Sequence, residues 1–383
     1  MDPPRPTAAQ VPFKPGDIIK EQYTLQRQIG AGTYGAIFSA LYQNGPISKH
    51  VAVKLEKNLP HFSLQANEVL IMKTLAGSNH FAKFYQCGTH ETYKFVCMEL
   101  LGPSLIQLVN RKKPYRFTLL QLLKFGIQAV ECLHELHSAG FVHRDVKPDN
   151  FVIGNNKETA GQIYIIDFGL CKRLLIKNGI VVKPTQKGNF RGTLRYASIN
   201  AHLRNELGRQ DDLISLFYLM IEYYMGRLPW TGVIDQAEIL HLKEQNLNGI
   251  LSTQMPHNFL LFEQHIFSLS YEVKPNYQLI IQIFRKIAEE CKIDIAQPFE
   301  WELELKQQRM LVMHRHQQDK EREFQKSEKD SDNESSIENQ EQASQNFKEK
   351  DAQNHYELSN AGLLNELKHR ISLRIQINRK PTS

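Results

Sequence analysis

"HRDVKPDN", residues 143–150, decides how the rest of the chain is read. Asp145 offers a carboxylate that can orient and deprotonate a hydroxyl. Lys147 offers a cation for a phosphate in transfer, and Asn150 an amide oxygen for a metal ion. Any such triplet can be accidental, so its weight comes from its neighbours. Downstream, Asp167-Phe168-Gly169 follows the apolar run YII and adds a second metal-binding carboxylate.

Upstream, Gly30-Ala31-Gly32-Thr33-Tyr34-Gly35 is a G-x-G-x-x-G, a weak signal alone. In a dinucleotide-binding fold this loop opens a helix, whereas here AIFSALY continues as a strand. That order suits a flap folded over phosphates, with the missing Cβ atoms permitting close approach. Val51-Ala52-Val53-Lys54 then places a lysine among apolar neighbours, and Glu68 on the following helical stretch is its candidate partner. The pair would hold the lysine against the α- and β-phosphates of a nucleotide. Glycine loop, lysine, glutamate, HRD-x-K-x-x-N and DFG occur in this order, which chance does not produce.

The surrounding pattern predicts two lobes. From Tyr23 the period is two, through YTLQRQI, AIFSALY and HVAVKLE, with FAKFYQCG and YKFVCMEL as further strands. One helix is expected around Gln65–Leu75. After Gly102 the pattern turns helical: LLQLLKFGIQAVECLHELHSAG repeats apolar residues at three- and four-residue spacing and stops at Gly140, a glycine suited to a helix end. Strands first and helices second imply an α+β chain with a cleft between a small and a large lobe.

Composition agrees with a globular chain: of 383 residues, 41% are hydrophobic and 23% charged, with a net charge of +6. Five cysteines without a C-x-x-C pair suggest neither a zinc site nor a disulfide framework, so reduced thiols in the cytoplasm or nucleus are expected. The opening MDPPRPTAAQVPFKPGD has no apolar core of a signal peptide. Leu213 to Met225 is too short to cross a bilayer and carries Glu222, which marks it as a buried helix. No motif for nucleic acid or membrane is present. Residues 1–20 read as a flexible leader. Beyond Glu302 the chain turns into a charged, partly helical and partly disordered tail over 303–383, where SEKDSDNESSIENQEQ lacks the apolar residues of a core. LLNELKHRISLRIQI near the end could form an amphipathic element.

The chain resembles the eukaryotic protein kinases, and within them the casein kinase 1 superfamily, closest to its tau-tubulin kinase branch. The likeness runs from about Gly16 to Glu302 and is carried by FRGTLRYASINAHLRNELGRQDDL, SLFYLMIEYYMGRLPW, SYEVKPNYQL and PFEWE. Most kinases end the activation segment in Ala-Pro-Glu. The resemblance implies that Ser198-Ile199-Asn200 is this lineage's own ending and no sign of decay. It implies a kinase domain over 21–302, with an N-lobe of about 21–101 and a C-lobe of about 102–302, acting as a monomer on ATP and protein substrates, cytoskeletal ones among them.

By the same resemblance, Ile29, Gly30, Ala31, Gly32 and Gly35 cover the nucleotide. Ile37 and Ala52 lie above adenine and Val152 below it, with Met98 as gatekeeper and Glu99 to Leu101 as hinge. Lys54 and Glu68 form an ion pair, Asp145 is the catalytic base, and Lys147 steadies the γ-phosphate. Asn150 and Asp167 bind Mg2+, and Asp212 braces the catalytic loop. Ile214 departs from the tryptophan usual in that branch, away from any chemical position.

Two readings of activity stay open: a serine/threonine kinase, or a pseudokinase scaffold. Pseudokinases commonly lose one of Lys54, Asp145, Asn150 and Asp167, and all are present here. Lys172, Arg173, Lys177, Lys183, Lys187, Arg191 and Arg195 crowd a stretch poor in acids, which predicts acidic or pre-phosphorylated substrates, with Arg191 and Arg195 holding the anion. Ser327, Ser331, Ser335 and Ser336 in the acidic tail fit that preference and suggest self-phosphorylation with partial inhibition.

Overall fold

Period-two alternation in the first third of the chain builds a single antiparallel sheet in the computed structural model, which describes residues 11–31, 35–58, 64–111, 113–178, 180–184, 190–307 and 310–311. Strands β1 (Ile18–Ile19), β2 (Tyr23–Ala31), β3 (Gly35–Asn44), β4 (Ile47–Lys57), β5 (Phe84–His90) and β6 (Tyr93–Glu99) lie in the order β1-β2-β3-β4-β6-β5. Successive side chains point to opposite faces of a strand. Leu25, Phe38, Val51, Val53, Leu55, Phe95 and Cys97 therefore share one face and form a core. Helix α1 (Leu64–Thr74) is inserted between β4 and β5. FAKFYQCG is only partly strand, because Phe81 turns inward to stack on Phe168 at 5.7 Å and pairing begins at Phe84.

The larger lobe is built from α2 (Leu105–Val109), α3 (Leu119–Ser138), short strands β7 (Phe141–Val142), β8 (Phe151–Ile153), β9 (Ile163–Ile165), β10 (Lys172–Arg173), β11 (Ile176–Lys177) and β12 (Ile180–Val181), and helices α4 (Ile199–His202), α5 (Arg209–Met225), α6 (Gln236–Gln245), α7 (Phe259–Phe267) and α8 (Tyr277–Glu290). Thr118 and Gln121 cap the start of α3 reciprocally, and Gly140 past its end takes φ +84°, a left-handed turn that glycine enters without strain. α5 starts at Arg209, four residues before its apolar run, because Asp211 receives the Gly208 N–H at 2.7 Å and closes the first turn. It is buried nearly all round and packs against α3 and α7.

The chain divides into two compact units. One runs to Gly154 and resumes over Gln162–Gln297, taking in both lobes. The other joins Asn155–Gly161 to residues from Pro298 on. There PFEWE opens a helix over 300–307; Phe299 and Trp301 stack at 4.2 Å, and Trp301 donates to the Ala160 carbonyl at 2.8 Å. Gly32, Lys187, the tail serines and LLNELKHRISLRIQI (363–377) lie outside the described residues. Among the described residues no helix is long and apolar enough to cross a membrane.

Candidate active site

Residues 143–150 follow β7, and their backbone is fixed by Asp212 from the first turn of α5. Asp212 Oδ2 accepts the His143 N–H and Oδ1 the Arg144 N–H, each at 2.7 Å. Arg144 sits at φ +66°, a conformation rare for a long side chain, and the paired carboxylate contacts hold it there. Burial would raise the Asp212 pKa, but the His137 hydrogen bond and charge and the His143 contacts keep it below the ordinary value. Arg144 Nε also donates to the Leu170 carbonyl at 2.7 Å, tying the loop to the segment after Asp167-Phe168-Gly169.

Asp145 is 7% exposed and both its oxygens are engaged: Lys147 Nζ lies 2.5 Å from Oδ2, and Thr193 donates its hydroxyl to Oδ1 at 2.8 Å. Asn150 ends a tight turn opened by Pro148. Its side-chain NH2 donates to the Asp145 carbonyl at 2.8 Å, which leaves the amide oxygen as the ligating end. Asp167 takes φ +67°, and the ring of Phe168 packs between Phe81 and His143. Desolvation in the cleft would raise the Asp167 pKa, yet Lys54, His143, Lys147 and the Gly169 N–H hold it below the ordinary carboxylate value.

On the sheet, the face opposite the core carries Ile37, Ala52, Lys54, Val96 and Met98, because Ile37 pairs with Lys54, Lys54 with Val96, and Ala52 with Met98. Lys54 Nζ lies 2.7 Å from Glu68 Oε2, with the lysine 19% and the glutamate 5% exposed at the side chain. Burial disfavours the ammonium, but the charges of Glu68 and Asp167 outweigh it and raise the Lys54 pKa. Val152 approaches from β8, bridged to Ser104. The Glu99 N–H is taken by the Lys83 carbonyl at 2.8 Å, so hinge contacts fall to other groups of residues 99–101.

The glycines divide. Gly30 has room, since a Cβ there would meet Ile37 at 3.5 Å, and Ile29 and Ala31 beside it are exposed on β2. Gly35 does not: a Cβ would stand 2.0 Å from the Leu55 carbonyl, so its pairing with β4 alone demands glycine.

Beyond Thr193, the segment is held from below. Ser198 Oγ and Asn200 Nδ2 donate to Asp211 Oδ1 at 2.7 and 3.0 Å, and Ser198 caps α4. Burial lifts the Asp211 pKa to about 6, against the donors from Ser198, Gly208 and Asn200. Trp230 Nε1 donates to the Arg195 carbonyl at 2.8 Å. Lys243, 1% exposed, donates to the carbonyls of Leu194 at 2.8 Å and Ala197 at 2.6 Å, under the rings of Tyr218 and Trp230. Of the cations that sequence grouped as anion-binding, Lys172 pairs with Glu206 at 2.7 Å and Arg195 with Glu222 at 3.2 Å. Arg191 is exposed and close enough to Arg144 to lower the latter's pKa, after burial.

Thr193, Asp211 and Lys243 were missed by sequence reasoning. A polar residue inside RGTLRY and the paired acids of RQDDL were available signals; Lys243 had none.

Asp167 and Asn150 offer hard oxygens, the donor type that magnesium takes. Among the described residues no cluster of three or more His, Cys, Asp or Glu forms a metal cage, so such an ion would draw its remaining ligands from phosphate and water.

Residues 23–291 match the family model described as the protein kinase domain. A probable serine/threonine-protein kinase of Dictyostelium discoideum is 37% identical over 292 residues, which cover 76% of this chain and 59% of that relative. The chain thus spans about three fifths of the length of the curated relative it matches.

Proposed function

Because this chain belongs to the protein kinase family, we propose that it transfers the γ-phosphate of ATP to serine or threonine of protein substrates. The observation that carries the reading is Asp145, held between Lys147 and Thr193 at the mouth of a cleft that also contains Asn150, Asp167 and the Lys54–Glu68 pair. Phosphoryl transfer needs mainly positioning and charge stabilisation, and this arrangement supplies both. Asp145 orients the substrate hydroxyl and accepts its proton. Lys147 passes from the carboxylate to the γ-phosphate as charge moves there. Lys54, held by Glu68, meets the α- and β-phosphates. Asp167 and Asn150 are the residues that would hold a magnesium ion, which when bound would supply positive charge against the phosphates.

Within the family, we place the chain in the casein kinase 1 superfamily, near tau-tubulin kinases. The anchoring of Ser198 and Asn200 on Asp211 supports this, since it gives Ser-Ile-Asn an anchor of its own. The preference for acidic or primed substrates rests on exposed Arg191; Arg195 contributes less, because Glu222 already meets its charge.

The test is transfer of radiolabelled γ-phosphate to casein or tau, with Asp145→Asn as control. Loss of a positioned base lowers the rate by about 10²–10⁴-fold. Equal signal from both proteins overturns the proposal and leaves a scaffold.

A further inference from the structure

α3 and α8 meet the catalytic loop through a hydrogen-bonded chain that the transfer reaction leaves unassigned. His134 and His137 lie three residues apart on one face of α3. The His134 ring stacks on Tyr277 at 4.4 Å and 20°, and the Tyr277 hydroxyl lies 2.7 Å from His137 Nδ1. His137 Nε2 is 2.8 Å from Asp212 Oδ2, the oxygen that also receives the His143 N–H. Tyr277, His137 and Asp212 are all buried. Tyr277 is placed by the start of α8, where Asn276 caps the helix through Leu279 N at 3.0 Å and its own N–H meets His265 Nε2 at 3.1 Å.

The direction of the protons follows from chemistry. An ionised Asp212 can only accept, so Nε2 carries the hydrogen; a neutral imidazole then has its lone pair on Nδ1, and the phenol must donate to it. We propose that Tyr277 is a positioning residue for phosphoryl transfer: its hydroxyl locks His137 in the one tautomer that keeps Asp212 on the catalytic loop. The groups facing His137 are Asp212, Arg209, His143, His134 and Tyr277 itself. Burial lowers the His137 pKa, partly offset by Asp212, while burial raises that of the Tyr277 phenol, so both stay neutral in this chain. Without the hydroxyl, Nδ1 becomes a buried lone pair. Either the ring takes a proton and draws Asp212 toward itself, or it changes tautomer and opposes lone pair to lone pair. Both loosen the two amide contacts that orient Asp145.

This inference rests on the kinase reading, and its test separates the two. Tyr277→Phe keeps the ring and its stacking on His134. It should lower kcat about tenfold, the worth of one hydrogen bond beside a charge, with KM for ATP unchanged. With 15N-labelled histidine, His137 in the wild type should show the Nε2–H tautomer and no titration between about pH 6 and 8, and in the variant should either titrate in that range or carry its proton on Nδ1. In a His137→Gln background, where the amide itself donates to Asp212, Tyr277→Phe should cost no further kcat. A variant with lowered Tm but wild-type kcat overturns the proposal, as does a further tenfold loss in the His137→Gln background. If Tyr277→Phe does not fold, a wild-type His137 that titrates or carries its proton on Nδ1 overturns it equally. A wild-type protein without transfer activity refutes the kinase reading and leaves the tautomer result standing.

Discussion

Two lysines of this chain are drawn from water in opposite ways. Lys54 in the cleft faces a carboxylate at 2.7 Å and keeps part of its side chain exposed. Lys243, beneath the activation segment, is sealed and is met by two backbone carbonyls, His202 and two aromatic rings. The first is an ion pair whose lysine stays partly open to solvent, where the proposed function puts the phosphates of ATP. The second solvates a fixed stretch of backbone with nothing left to offer a ligand.

The comparison is broken most directly at Lys54. Lys54→Met should leave the chain folded, with a lowered melting temperature because Glu68 stays buried without its cation, and lower kcat/KM by about 10²–10³-fold, since a charge preorganised at a phosphoryl centre is worth several kcal/mol. A variant with normal turnover would make Lys54 an ordinary strand lysine.

On the other side, Asp211→Ala strips the acceptor from Ser198, Asn200 and the Gly208 N–H at once. Orphaned buried donors of this kind cost about 3 kcal/mol together, readable as a shifted midpoint in urea with the m-value unchanged.

Lys243 sharpens the contrast through pH. Burial brings its pKa down from 10.5 to about 7. Between those values the unfolded chain binds more protons than the folded one, so this group adds stability as pH rises from 7; below 7 its cost is constant. Relative to Lys243→Met, the wild type should therefore gain ~2–3 kcal/mol between about pH 7 and 9. A difference that stays flat over that range would show the ammonium to be fully compensated by its carbonyls. The smallest effect is expected from Ser198→Ala, about 1 kcal/mol for a lost helix cap. Equilibrium denaturation at neutral pH measures it.

The cleft was legible because its chemistry is written in short runs. Asp145, Lys147 and Asn150 lie within six residues, and Asp167 follows two short strands later. The floor was legible only in part. Ser198-Ile199-Asn200 stood out as an unusual ending, but its anchor, Asp211, is a helix-capping acid indistinguishable in sequence from its neighbour Asp212. Gly35 was read as a nucleotide glycine, yet the space it leaves is filled by the Leu55 carbonyl. The clustered cations were read as free for anions, while Glu206 and Glu222 come from beyond the cluster to meet Lys172 and Arg195.

Sequence by itself determined the two-lobed order of strands and helices, through hydrophobic periods set by local geometry, and the identity of the groups that can do chemistry. Tertiary structure decided which charges are spoken for. It put Thr193 on Asp145, Tyr277 on His137 and Lys243 on the Leu194 and Ala197 carbonyls. The reason is physical: hydrophobic period and helix capping act over a few residues and leave a mark at fixed spacing. A buried polar group takes whichever partner packing brings within hydrogen-bond reach, at any separation along the chain.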